Sequence, residues 1–140
     1  EFRRVLFRSM SNKDVVRFFF EIYNSQNYTN IYDCMAPDYY DHSLPSVRSI
    51  EDAIIILKAT HKSFPDINVV IDDLIEEDDK VAFRGRFSAT HLGTFLGVEP
   101  TNSRIEFEAL ELFKIKNHKI IESWGYWPTN VILRQMNTAL

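Results

Sequence analysis

Between Arg104 and Pro128, apolar and polar residues alternate on both sides of a short polar turn at Asn117 and His118. That period of two predicts a pair of long antiparallel strands. A two-residue turn sets Lys116 opposite Lys119, Phe113 opposite Glu122, Glu111 opposite Trp124 and Ala109 opposite Tyr126. One face of the hairpin then carries Ile105, Phe107, Ala109, Glu111, Phe113 and Ile115, with Ile120, Glu122, Trp124 and Tyr126 from the second strand. Two carboxylates on an otherwise apolar, aromatic face are informative, because ionised groups are costly to bury without partners. The reading depends on register, since a slip of one residue would turn Glu111 to the other face.

The earlier chain changes period twice. Ser11 with Asp14 makes a capping-box-like helix start, and Val15, Phe18, Phe19, Ile22 and Tyr23 follow at helical spacing to about Ser25. A shorter helical piece is expected over Thr29 to Met35, followed by extended chain through Tyr39, Tyr40, Asp41 and His42. Ser49 and Asp52 repeat the start signal for a helix that carries Ile50, Ala53, Ile54, Leu57, His61 and Phe64 and stops before Pro65. From Ile67 the period becomes two, with strands on either side of Asp78 and Asp79 and Asp73 opposed to Arg84. Phe83, Phe87, Ala89 and His91 share one face of the second of these strands. A Gly- and Pro-containing loop leads into the hairpin, and a last helix, with Thr129 as its cap, presents Val131, Ile132, Leu133 and Met136. Helices followed by four antiparallel strands predict an α+β fold, helices packed on one face of a curved antiparallel sheet that can enclose a pocket.

Composition narrows the function. With 140 residues, 45% of them hydrophobic, the chain suits a single domain. Residues 1–9, EFRRVLFRS, read as a non-native leader ahead of the domain at 10–140. Setting aside their three arginines and one glutamate leaves 13 basic and 19 acidic residues. An acidic chain without a basic cluster is a poor match to nucleic acid or to an anionic membrane, and no apolar run reaches the roughly 20 residues of a membrane span. A cytoplasmic protein is expected. Cys34 is the only cysteine, and His42, His61, His91 and His118 have no metal-ligand spacing, so no metal site is expected.

APDYYDH at 36–42, FPD at 64–66, ATHLGTFLGVEPT at 89–101, FKIKNHKIIESW at 113–124 and WPTNVILRQM at 127–136, in this order and spacing, resemble the SnoaL-like polyketide cyclase and ester cyclase branch of the NTF2-like superfamily. The resemblance spans Ser11 to Met136. It implies a cone-shaped α+β barrel with an apolar pocket for a small hydrophobic or aromatic ligand, often a homodimer, and no cofactor. The best-known similar proteins close a ring in an aromatic polyketide by intramolecular aldol condensation. They carry an acidic residue just before the Trp-Pro pair and a histidine on the neighbouring strand. Here those positions hold Tyr126 and Glu111, so the carboxylate has changed strand.

An aldol closure needs a base for the proton next to a carbonyl and a donor for the enolate oxygen. Glu111 is the candidate base, because desolvation by Phe107, Phe113 and Trp124 and a like charge on Glu122 would both raise its pKa. Tyr126, His91 or His42 are the candidate donors, with Asp41 beside His42 as a relay to a pocket. Plainer roles stand beside these. Glu111 could close a core network with Tyr126, Glu122 could pair with a lysine at a rim, and His91 could hold its loop. His42 could anchor a strand end, and the tryptophans could simply pack. His61 and His118 read as surface residues. Three functions are therefore carried forward: a cofactor-free proton-transfer or cyclisation enzyme, a non-catalytic binding module, and a structural homodimer using the sheet back at Leu110, Leu112, Ile121 and Trp127.

Overall fold

The computed structural model describes residues 10–137; the expected leader at residues 1–9 lies outside them. Helix α1 (Asn12–Ser25) is followed by a 3-10 turn (Tyr28–Asp33), strand β1 (Met35–Asp41), helix α2 (Ile50–Ser63), strands β2 (Asn68–Glu77), β3 (Lys80–Thr90), β4 (Arg104–Lys116) and β5 (Lys119–Tyr126), and helix α3 (Thr129–Met136). Ser11 caps α1 in a reciprocal box with Asp14, and Ser49 caps α2 by accepting from the Asp52 amide. Thr129 does not cap α3: Pro128 holds the cap position, and the Thr129 hydroxyl turns back to the Trp127 carbonyl. The buried stripe of α1 is Val15, Val16, Phe20, Ile22 and Tyr23, so Phe20 takes the central place expected of Phe18 and Phe19.

The sheet runs β1-β5-β4-β3-β2. Its β2-β3-β4-β5 portion is antiparallel, with Asp73 opposite Arg84 as the sequence predicts. The first strand departs from that pattern. β1 is a fifth, edge strand and pairs parallel with β5, Asp41 beside Ser123. Pro37 in its middle suits an edge, where a missing N–H breaks no inner ladder. Pairing direction leaves no mark on side-chain alternation, which is why the sequence showed only an extended segment here.

The hairpin turn is where the sequence puts it. Asn117 and His118 both have positive φ, 53° and 62°, the geometry of a type I′ turn, and Lys116 faces Lys119. Two residues later the expected register fails. Ile115 pairs with Ile120 but Lys114 pairs with Glu122, so Ile121 is an extra residue, a β-bulge. Beyond it every side chain of β5 changes face. Ser123 opposes Phe113 and Gly125 opposes Glu111 on the inside, while Glu122, Trp124 and Tyr126 point to the outer face.

The core lies between the inner face of the sheet and the two long helices. Phe83, Phe87, Ile105, Phe113, Ile115 and Ile120 from the strands meet Val15, Phe20, Ile50 and Leu57 from α1 and α2. Phe20 stacks on Phe83 at 4.2 Å and Phe87 on Phe107 at 4.9 Å. His61, expected at the surface, is buried: Nε2 meets the Tyr23 carbonyl at 2.8 Å, and Nδ1 lies 2.8 Å from the Tyr28 hydroxyl and 2.7 Å from the Leu57 carbonyl, tying α2 to α1. Among the described residues no helix is long and apolar enough to cross a membrane.

Candidate functional site

The sheet and helices do not close on one another completely. They leave a cavity of about 820 Å³, within the usual ~300–1,000 Å³ range of small-molecule sites. Phe19 and Phe20 of α1, Ile56 and Leu57 of α2, and Phe95 and Trp127 line its sides. Its polar floor comes from three neighbouring strands: Tyr39 and Asp41 of β1, Glu111 of β4, and Ser123 and Gly125 of β5.

Glu111 is the chemical centre of this floor. It is half-buried and lines the cavity. Desolvation, helped by the Asp41 charge, pushes its pKa from 4.5 up to about 8. The causes differ in part from those expected, since the like charge is Asp41 and not Glu122. Gly125 gives the carboxyl its room: a Cβ there would stand 2.5 Å from Glu111 Oε1. No hydrogen bond to the Glu111 carboxyl is present among the described residues, so the closed network with Tyr126 does not form.

Asp41 sits at the end of β1 in a different setting. Its Oδ1 accepts from both the Ser43 amide at 2.9 Å and the Ser43 hydroxyl at 2.6 Å, and Ser43 Oγ in turn accepts from the Gly125 amide at 3.3 Å. The two carboxylates therefore flank Gly125, one held to its N–H through Ser43 and the other against its Cα. Beside them the Tyr39 hydroxyl and Ser123 Oγ share a short hydrogen bond. Burial pushes both Tyr39 and Tyr23 above the ordinary tyrosine range, with charge on Asp41 and Glu111 contributing to the first and on Glu111 to the second.

The other candidates fall into three groups. Phe113 lines the cavity, and Tyr126 lies at its mouth but is 69% exposed, its side chain on the outer face after the bulge. Phe107 is core packing against Phe87 and Trp127 and does not line the cavity. His91 is fully buried beneath the β3-β4 loop and does not line it either; Nδ1 accepts from the Thr101 amide at 3.3 Å, and the backbone of His91 bonds Ser103 and Asn102. It holds the loop that carries Phe95, a residue lining the cavity. His42, Glu122 and Trp124 form an outer-face cluster. His42 Nε2 meets Glu122 Oε1 at 2.8 Å, its ring stacks on Trp124 at 4.4 Å, and Lys114 approaches Glu122 at 3.7 Å. The His42 bond, then Lys114, holds Glu122 below the ordinary glutamate value. The bulge at Ile121 is the reason Glu122 and Trp124 left the pocket.

Tyr39, Ser43, Ser123 and Gly125 were missed as site residues. Gly125, inside a strand between two aromatic residues, was the one available signal, because a strand glycine often marks close approach of another group. No group of three or more His, Cys, Asp or Glu side chains able to hold a metal occurs among the described residues. Cys34 is buried with its thiol pushed up to about 12, mainly by desolvation, which makes it a poor nucleophile.

Helices laid on a curved, mixed sheet beside a cavity define an α+β cavity protein. The particular family follows from comparison: a model of the SnoaL-like polyketide cyclase family matches residues 13–136, and the chain belongs to that family. Solved structures share its fold. TsrD from Streptomyces laurentii is 22% identical, with a TM-score of 0.83 over 89% of this chain and 92% of that one. IdmH from Streptomyces antibioticus is 24% identical with a TM-score of 0.82, covering 91% and 99%. A SnoaL-like polyketide cyclase from Agrobacterium tumefaciens is 16% identical with a TM-score of 0.80, covering 91% and 98%. No curated protein matches the chain.

Proposed function

We propose that this protein takes a small apolar or aromatic molecule into its cavity and moves a proton on it without a cofactor, the kind of step that closes a ring by intramolecular aldol condensation. One observation carries the reading: Glu111, a carboxyl with a pKa near 8 and no hydrogen-bond partner among the described residues, faces a largely apolar cavity. A buried carboxyl without a structural partner is a stability cost that a proton-transfer role accounts for. The test is exchange of the methyl hydrogens of 2-acetylnaphthalene, a flat aryl ketone, followed by NMR. Glu111→Gln should slow exchange about tenfold or more, within reach of the ~10²–10⁴ typical of general acid–base groups. Equal rates for the two proteins would favour the non-catalytic binding module in the same cavity.

A second reading concerns the outer face of the sheet. Ile75, Ala82, Leu112 and Trp124 lie in one row across four strands, and Leu110 and Tyr126 pair in the next. Ile75 and Leu110 are 67% and 65% exposed. Such a contiguous apolar strip suits pairing with a second copy of the chain. Trp127, expected on this face, is instead inside against Phe87 and Phe107. Sedimentation equilibrium should report a dimer that Leu110→Glu converts to monomer, and a monomeric parent protein would remove this reading.

A further inference from the structure

The two floor carboxyls are placed and bonded differently, and the difference assigns them opposite work. We propose that Asp41 and Glu111 form an acid–base couple in which Asp41 takes the proton from the substrate carbon while Glu111 gives one to the substrate oxygen. This deepens the reading above and rests on it, but reverses the role that the sequence suggested for Glu111.

The geometry carries the assignment. Both groups line the same cavity and flank the same residue, Gly125. Asp41 Oδ1 accepts two hydrogen bonds from Ser43, an arrangement that suits an acceptor-only carboxylate, and leaves Oδ2 without a partner among the described residues. Glu111 has no donor directed at it, so nothing on the protein favours its charge, and burial favours its proton. The other titratable groups around it are Tyr39 on β1 and Tyr23 on α1, with Lys62 on α2 and Tyr126 at the end of β5 lining the same cavity. Ser43 is a positioning residue, since it ties Asp41 to the strand that makes room for Glu111.

The couple resets itself over an aldol closure. Asp41 removes a hydrogen from the carbon next to a ketone as a proton; the C–H electrons become the C=C bond, and the carbonyl oxygen takes the Glu111 proton, giving a neutral enol. The enol carbon then attacks a second carbonyl of the same molecule. As the new C–C bond forms, the enol O–H proton returns to Glu111, and the new alkoxide takes the proton held by Asp41. Every proton is accounted for, and the pair carries one negative charge before and after each step. A cavity of low polarity therefore never has to hold a second ion. The substrate class that fits is a neutral, flat molecule with an enolisable ketone and a second carbonyl within ring-closing reach; an anionic group at the floor would be repelled.

The pH profile and two substitutions test this. With 2-(trideuteroacetyl)naphthalene in water, the protein-catalysed loss of deuterium should be level between pH 6 and about 7.5. It should fall about tenfold per pH unit above 8, once the hydroxide background is subtracted. Asp41→Asn keeps an oxygen for the Ser43 bonds and should slow exchange at least a hundredfold. Glu111→Gln should lose about tenfold and lose the alkaline fall, because the amide still donates. A wild-type rate that rises through pH 8, which needs no variant to measure, or an Asp41→Asn protein at full rate would overturn the couple while leaving Glu111-dependent proton transfer standing. Exchange insensitive to Glu111→Gln overturns both.

Discussion

Replacing Glu111 with glutamine should stabilise the protein, and by an amount that grows with pH. Folding raises the Glu111 pKa from 4.5 to about 8, so between those two values the folded chain holds a proton that the unfolded chain has released. Stability from this group is complete below pH 4.5 and drains away as pH rises to 8. At about 1.4 kcal/mol per pH unit, the loss reaches ~3 kcal/mol at pH 7 and levels near ~5 kcal/mol above pH 8. Glutamine has nearly the same volume and no proton to lose, so the variant escapes this slope. Other carboxylates titrate in the opposite sense: Asp14, Asp66 and Glu122 are held below their ordinary values by hydrogen bonds and charges, and lose stability toward acid. They are the same in both proteins and cancel in the difference. Urea unfolding of the two proteins at intervals from pH 4 to 9 measures it directly. The difference, Glu111→Gln minus wild type, should be constant near pH 4, climb through the neutral range and flatten after pH 8. Two parallel stability curves between pH 4.5 and 8 would mean that the carboxyl is hydrated like a surface group, and the argument from desolvation would be wrong.

Two other substitutions address the floor of the cavity. Gly125→Ala puts a methyl group 2.5 Å from Glu111 Oε1 and 2.9 Å from its Cγ, so it should displace the side chain, cost about 1–3 kcal/mol in urea unfolding and reduce exchange as strongly as Glu111→Gln; unaltered exchange would show that Glu111 has freedom the packing denies it. Tyr39→Phe removes one partner of the buried Tyr39-Ser123 bond and leaves the Ser123 hydroxyl alone. It should cost about 1–3 kcal/mol, with the double change Tyr39→Phe, Ser123→Ala recovering part of that loss in a thermal melt; strict additivity would argue against a direct bond.

The sequence made the fold legible because the two periods are strong where they matter. The capping box at Ser11 and the Ser49 cap fixed the helix starts, the alternation in β3 and β4 fixed which of their residues face inward, and Asn117-His118 fixed the turn. What it could not show was a bulge. Ile120 and Ile121 stand side by side as an apolar doublet, and a doublet does not say whether one residue is extra, or which, until the partner strand is known. The consequences reach past register. With a regular β5, Glu122 and Trp124 would stand inside beside Glu111 and fill its space with a second carboxylate and an indole. With the bulge, the facing residues are Ser123, which bonds Tyr39, and Gly125, which has no side chain at all. Glu111 keeps an open cavity in front of it only for that reason. The like charge that remains near it is then Asp41, contributed by the parallel edge strand that alternation also could not orient. Both features that define the candidate chemistry, the room for one carboxyl and the identity of the second, are thus products of strand pairing. The residues responsible for them, Ile121 and Asp41, take their places only once the neighbouring strand is known.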